Sequence, residues 1–206
     1  MAKKYVSALE GHYRKDSFDL EGKSNIILSE IKGTIINQVA AWPDTLNDIG
    51  TKVSQTLNFK KYPEANKVVS LGGIAMLRIE PLKWWVITSG EIEYQDLIDP
   101  SIPIFKSLEK YIDLSDKGSF LDLSHSRTHV RILGQDSTIL LNRHLPIDLR
   151  ENSFPLNSVA TTAFHHCSVT LWRSVEGYEL FLPRAFALSL WEILIESAAQ
   201  FGYEIK

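Results

Sequence analysis

Two clusters in this sequence combine residue types that can do chemistry. The first runs Asp122-Leu-Ser124-His125-Ser-Arg127, with Asp148 downstream. A serine, an imidazole and a carboxylate are the parts of a hydrolytic relay. The relay works only if a base takes the hydroxyl proton and an acid orients the base, all within hydrogen-bond reach. No Gly-x-Ser-x-Gly elbow surrounds Ser124, the turn that exposes a serine nucleophile in α/β hydrolases. Turn chemistry explains the same residues without catalysis. Ser124 and Ser126 can bond the turn backbone, and Arg127 can tie a carboxylate or a carbonyl. Asp122, Ser124, His125 and Arg127 therefore read as a structural motif, with no catalytic residue assigned.

The second cluster is His165-His166-Cys167, with His125, His129 and His144 elsewhere in the chain. Neighbouring side chains of a strand point to opposite faces, so His165 and Cys167 share one face and His166 takes the other. Two ligands on a strand fall short of a zinc set, and no Cys-x-x-Cys accompanies them. No metal ligand is assigned, and Cys167 reads as a small buried hydrophobe. Trp84, Trp85, Trp172 and Trp191 could stack a pteridine or a base, but in strands and apolar helices such residues serve cores and interfaces. Gly72-Gly73 lacks the lysine-serine pair or the GxGxxG spacing of a phosphate loop, and suggests a bulge or a close backbone approach.

The elements that must position these residues follow from hydrophobic period. Phe120 to Gly134 reads as two strands around a polar turn: in over Phe120 to Leu123, out over Thr128 to Leu133. Val130 and Ile132 alternate there with His129 and Arg131. Asp136 or Ser137 caps a short helix after Gly134. Upstream, Ile26 to Leu28 and Gly33 to Ala40 are strand candidates. Leu46, Ile49, Val53 and Leu57 have helical spacing. Val68 to Glu80 holds a strand, a turn at Glu80 to Lys83 leads to Trp84 to Thr88, and Ser101 to Tyr111 suits a helix. Downstream, Ser158 to Val175 is strand-like and folds back near His165-His166. Glu176-Gly177 makes a hairpin turn into Tyr178 to Leu182, and a last helix runs from about Pro183 to Phe201.

The chain has 206 residues, 44% of them apolar, with a net charge of −3. That supports a sizeable core and gives no electrostatic case for nucleic acid or an anionic membrane surface. One cysteine excludes an internal disulfide. The charged first residues lack a signal h-region, and the last helix carries Glu192 and Glu196, so the expectation is a soluble cytoplasmic protein that spans no membrane. Residues 1–24, with Lys3, Lys4, Arg14 and Lys15, read as a flexible tail. Residues 25–206 read as a single α+β domain of two pseudo-repeats, about 25–115 and 116–206. Each runs strand–helix–strand–strand–helix, the order of ferredoxin-like folds.

Several segments carry a family resemblance. Leu121-Asp122-Leu123-Ser124-His125-Ser126-Arg127, the strand ending in Gly134-Gln135-Asp136, Leu145-Pro146-Ile147-Asp148-Leu149, and Leu182-Pro183-Arg184-Ala185-Phe186-Ala187-Leu188-Ser189-Leu190-Trp191 together resemble the gamma subunit of heterotetrameric sarcosine oxidase. The resemblance covers roughly residues 70–202. The Asp-Leu-Ser-His segment also looks like a more distant kin, the folate-binding domain of the glycine-cleavage aminomethyltransferase. The resemblance implies duplicated ferredoxin-like units forming a folate-binding-domain-like pseudo-barrel. It implies a non-catalytic subunit that assembles with alpha, beta and delta subunits, in a complex that demethylates sarcosine oxidatively to glycine. Dimethylglycine or another N-methyl amine is an alternative substrate. FAD, FMN, NAD and folate would sit in the alpha and beta subunits and zinc in delta, with no cofactor in this chain. A stand-alone folate-binding protein is the alternative, but Gly72-Gly73 is not followed by the carboxylate that the aminomethyltransferase carries.

The last helix adds one expectation. Ser189, Glu192, Glu196 and Gln200 form a narrow polar stripe, leaving two apolar faces. Trp191, flanked by Leu188 and Ile195, is expected to anchor a protein interface, unless a tail or loop of the same chain covers that face.

Overall fold

The computed structural model describes residues 6–19, 24–88 and 103–206. In chain order its elements are β1 (Asp16–Phe18), β2 (Ile26–Glu30), β3 (Ile35–Ala41), α1 (Leu46–Thr56), β4 (Val68–Leu71), β5 (Ile74–Glu80) and β6 (Lys83–Thr88). They continue with α2 (Pro103–Ser115), β7 (Gly118–Asp122), β8 (Arg127–Leu133), α3 (Ser137–Asn142), β9 (Val159–Phe164), β10 (Cys167–Ser174) and β11 (Gly177–Pro183). A 3-10 turn, Arg184–Phe186, leads into α4 (Ala187–Ala198), and β12 (Tyr203–Ile205) closes the chain. Lys3, Lys4 and the expected helix start at Ser101 lie outside the described residues.

These elements make a mixed α+β structure of two compact units. One unit takes residues 33–125, and the other takes 6–32 with 126–206. Strands of the first are ordered β4-β5-β6-β3-β7, all antiparallel. Strands of the second are ordered β1-β12-β2-β8-β11-β10-β9, antiparallel except for β2 beside β12. The units therefore do not coincide with residues 25–115 and 116–206. The early strand β2 joins the second sheet, between β8 and β12, and the later strand β7 joins the first.

Each core follows the period of its elements. In the first unit Ile49, Val53 and Leu57 of the α1 stripe pack with Val39, Trp84 and Val86. In the second, Val130 and Ile132 of β8, Leu180 of β11 and Val169 and Leu171 of β10 share one face with Leu190, Trp191 and Leu194 of α4. The strand expected over 68–80 is instead a hairpin. Gly72 (φ +58°) and Gly73 (φ +82°) form a two-residue turn between the paired residues Leu71 and Ile74. Positive φ at both central positions is what a tight hairpin turn requires, and glycine adopts it without penalty.

The stretch expected to be a flexible tail is packed over the residues described. Leu9 is fully buried and belongs to the core of the second unit. Ser7 donates its hydroxyl to the Glu30 carboxylate and accepts the Leu9 N–H at 2.9 Å. The Tyr13 ring lies 5.5 Å from that of Trp191, and the Tyr13 hydroxyl donates to the Lys206 carbonyl. Arg184 donates to the Val6 carbonyl at 2.5 Å, and β1 pairs with β12. The sequence hides this because isolated apolar residues in a polar stretch have no period to read.

That segment corrects the expectation for α4. Ser189, Glu192, Glu196 and Gln200 are exposed as a polar stripe. Trp191 is only 1% exposed, and Leu188 and Ile195 are half-buried against the same core. Trp191 is thus a core residue of its own unit and not an exposed interface anchor, because the N-terminal segment shares its cluster. Replacing a fully buried leucine with alanine costs about 2–5 kcal/mol. Leu9→Ala is expected to lower stability by that amount in equilibrium urea unfolding, and a change below about 0.5 kcal/mol would return residues 6–19 to the status of a tail.

Candidate functional site

At the polar turn the serine is committed to the backbone. Asp122 Oδ1 accepts the Ser124 N–H at 2.8 Å and the Ser124 hydroxyl at 2.5 Å. Ser124 Oγ in turn accepts the Ile36 N–H at 3.1 Å. The hydroxyl proton is therefore directed at a carboxylate that shares it with the backbone, and the oxygen lone pairs face an amide. Ser124 is buried while Asp122 and His125 are exposed. Arg127 begins β8 opposite Pro183, half-buried, and burial pushes its guanidinium below its ordinary value. Asp148 is engaged separately: Arg150 grips it with a fork at 2.9 and 2.7 Å, and Ser153 donates to it at 2.7 Å. Those bonds hold its carboxyl well below the usual carboxylate range. The two strands that the sequence places around this turn belong to different sheets, β7 to the first and β8 to the second.

The histidine cluster is a turn. His165 and His166 are the two residues between the paired Phe164 and Cys167, and His165 has φ +52°. Both are exposed, whereas Cys167 is buried in the core. His144 reaches the same region: its Nε2 lies 2.8 Å from Ser197 Oγ and its ring 5.9 Å from that of His165. Burial, then His165 and Arg143, push the His144 imidazole below its ordinary value. Among the described residues no three His, Cys, Asp or Glu side chains are grouped to hold a metal ion. Trp84, Trp85, Trp172 and Trp191 are all buried, which places them in cores.

The most concentrated polar chemistry lies around Glu179, a residue the sequence analysis does not single out. Glu179 on β11 is 1% exposed and His129 on β8 is 3% exposed. Register places Glu179 opposite Arg131 and Phe181 opposite His129. His129 Nε2 is 2.7 Å from Glu179 Oε2, and the imidazole stacks on Phe181 with centroids 4.4 Å apart. The other carboxylate oxygen accepts Arg131 Nε at 2.8 Å and Ser174 Oγ at 2.9 Å. Arg131 also reaches Glu176 at 2.7 Å. Serine and histidine both bond the carboxylate, not each other, so the group is not a nucleophilic relay. It is a buried ionic clamp across β8, β11 and β10. A signal for it exists: Glu179 is the one charged residue in Tyr178 to Leu182, and a charge buried in an apolar strand must be paired.

Burial on its own would push the Glu179 carboxyl up. The hydrogen bond and charge of His129, followed by Arg131 and Ser174, outweigh it and hold the carboxyl below its ordinary value.

No protein-family model matches the chain. It is similar to sarcosine oxidase subunit gamma of Corynebacterium sp. (strain P-1), at 32% identity over 90 residues, 43% of this chain and 44% of that one. The gamma subunit of Arthrobacter sp. is 31% identical over 71 residues, 34% of this chain and 35% of the relative. The chain thus spans less than half the length of the curated relatives it matches. Among solved structures, a chain of heterotetrameric sarcosine oxidase from Corynebacterium sp. U-96, in complex with pyrrole 2-carboxylate, superposes with a TM-score of 0.71. The identity is 20%, with 85% of each chain covered. The glycine cleavage system aminomethyltransferase T from Bartonella henselae gives a TM-score of 0.61 at 14% identity, covering 96% of this chain and 57% of that one. The mixed α+β fold is therefore of the kind these two proteins share.

Removing one partner of a buried ion pair costs about 3–5 kcal/mol. Glu179→Gln is expected to lose that much stability at pH 7. A carboxyl whose folded value is depressed stabilises the fold above its unfolded value of about 4.3 and loses that contribution as pH falls through the folded value. The gap between wild type and variant should therefore narrow on acidification below about pH 4. Urea unfolding at both pH values checks it, and an equal gap at each would show that the charge of Glu179 contributes nothing to stability.

Proposed function

We propose that this chain is the gamma subunit of a heterotetrameric sarcosine oxidase. In this reading it supports assembly, with alpha, beta and delta subunits, of the complex that oxidatively demethylates sarcosine to glycine in the cytoplasm. The observation that carries the reading is the 32% identity over 90 residues to sarcosine oxidase subunit gamma. The fold likeness to a chain of the heterotetrameric enzyme is consistent with it.

In this reading the chain is not itself catalytic. Its polar clusters are put to structural use: Ser124 is tied to Asp122 and to the Ile36 amide, and Glu179 is clamped by three side chains. FAD, FMN, NAD, folate and zinc would belong to the other subunits. No helix among the described residues is long and apolar enough to cross a membrane. Residues 25–206 would form a single α+β domain of two pseudo-repeats. Supporting that, β3, α1, β4, β5 and β6 have the same element order as β8, α3, β9, β10 and β11, and the sheet orders β4-β5-β6-β3 and β9-β10-β11-β8 correspond. The two units would then be ferredoxin-like repeats of a folate-binding-domain-like fold.

Co-expression of the tagged chain with the alpha, beta and delta genes of its own genome, followed by affinity purification, tests the proposal. All four chains are expected to co-purify with sarcosine oxidase activity, while the chain alone is colourless and makes no peroxide from sarcosine. A chain that purifies alone from the co-expression and retains a folate would support the aminomethyltransferase-like reading instead. Bound flavin or peroxide production by the isolated chain would overturn the non-catalytic assignment.

A further inference from the structure

Residues 6–13 lie on the core of the second unit without joining its sheet. None of them belongs to a helix or a strand. Their backbone bonds to one another are turn bonds. Glu10 N–H donates to the Ser7 carbonyl at 3.3 Å, and the N–H groups of His12 and Tyr13 share the Leu9 carbonyl at 2.9 and 2.7 Å. The tethers to the rest of the unit are few. Ser7 donates to the Glu30 carboxylate, and Arg184 donates to the Val6 carbonyl. The Tyr13 hydroxyl accepts the Glu30 N–H at 3.1 Å and donates to the Lys206 carbonyl. Water can replace each of these bonds at small net cost. What holds the segment down is apolar: Leu9 is fully buried, and Ala8 and Tyr13 are half-buried against the same core.

Closure also traps polar atoms. Among the described residues no protein group pairs with Glu30 Oε2, Thr128 Oγ1 or Trp191 Nε1, and all three side chains are buried. They lie where the segment sits. Ser7 bonds the other oxygen of Glu30, and the Tyr13 ring packs on Trp191. Glu30 is opposite Val130, and Thr128 is the next residue along β8 on that face. A buried donor or acceptor left unpaired carries its full desolvation cost, which contact with water removes. Few buried apolar contacts and relief on hydration are the conditions under which a segment opens apart from the whole.

We propose that residues 6–13 are a latch that opens as one unit, ahead of the sheet beneath it, and uncovers Trp191. The fixed side of the hinge is β1, which the ladder with β12 holds in place. Trp191 is then a core residue of the closed chain and a surface residue of the open one. The face it shares with Leu188 and Ile195 is gated by the chain's own N-terminal segment.

Native-state hydrogen exchange on the full chain, read residue by residue by NMR across low urea concentrations, tests this. The amides of Leu9, His12 and Tyr13 and the indole N–H of Trp191 are expected to share one opening equilibrium with little urea dependence. Amides of β8 and β11 are expected to exchange only through a larger, urea-dependent opening. Ser7→Ala removes a bond of the closed latch and is expected to speed all four protons together, about fivefold. Thr128→Val removes a hydroxyl that closure leaves unpaired and is expected to slow the same four by a similar factor. Opening equilibria that fall away step by step from Tyr13 to Leu9 would show a fraying chain end and overturn the latch. So would exchange of all four protons only with the amides of β8 and β11. An indole N–H that exchanges with β8 and β11 while the three amides open together would show that the segment does not gate Trp191. Faster exchange in Thr128→Val would show that closure pairs the hydroxyl, against the proposal.

Discussion

The buried carboxylate of Glu179 constrains the second sheet more than any other single group. Moving a carboxylate out of water costs several kcal/mol unless its oxygens are bonded and its charge is matched. Here His129 takes one oxygen, while Arg131 and Ser174 share the other. These partners come from the two strands that flank β11, so the clamp fixes the register of β8 against β11 and of β11 against β10. A one-residue slip of β11 would turn Glu179 toward the core face occupied by Tyr178, Leu180 and Leu182, and period-2 geometry makes that slip move every side chain of the strand at once. Apolar burial supplies the bulk of the stability; the ionic clamp selects which apolar packing is reached.

Legibility in the sequence follows from how local each signal is. The α4 stripe was readable because Ser189, Glu192, Glu196 and Gln200 recur at helical spacing and all four are exposed. The α1 face and the turn before β6 were readable for the same reason. Gly72-Gly73 was located but misassigned, because two glycines serve a bulge, a close approach or a hairpin equally well until the pairing of Leu71 with Ile74 is known. The packing of Leu9 and Tyr13 was not readable, since its partners Glu30, Trp191 and Lys206 lie far along the chain. Glu179 lay between these cases: its oddness in an apolar strand was visible, but its partners depend on register.

The same distinction explains why a contiguous repeat was expected. Element order is local, and it does recur. Sheet membership is not local. β2 lies between β8 and β12, so the second unit is completed only when strands far apart along the chain meet in one sheet. A chain closed this way carries a large share of long-range contacts, which slows folding relative to local topologies. It also gives the N-terminal segment its packed role, because β1 extends the sheet beyond β12.

The polar turn can then be understood through what the backbone needs there. The chain passes from one compact unit to the other between His125 and Ser126, having already crossed between Lys32 and Gly33. Where a strand leaves its ladder, the last backbone groups lose their partners and must be satisfied by other means. Ser124 does this twice, accepting the Ile36 amide at the end of the first sheet and donating its own hydroxyl and amide to Asp122. A serine two residues after an aspartate thus serves this crossing, and two of the residue types that suggest a hydrolase are the ones that cap a ladder. The two uses differ in where the serine proton points. Here it points at a carboxylate that also holds the turn backbone, and the serine itself is buried.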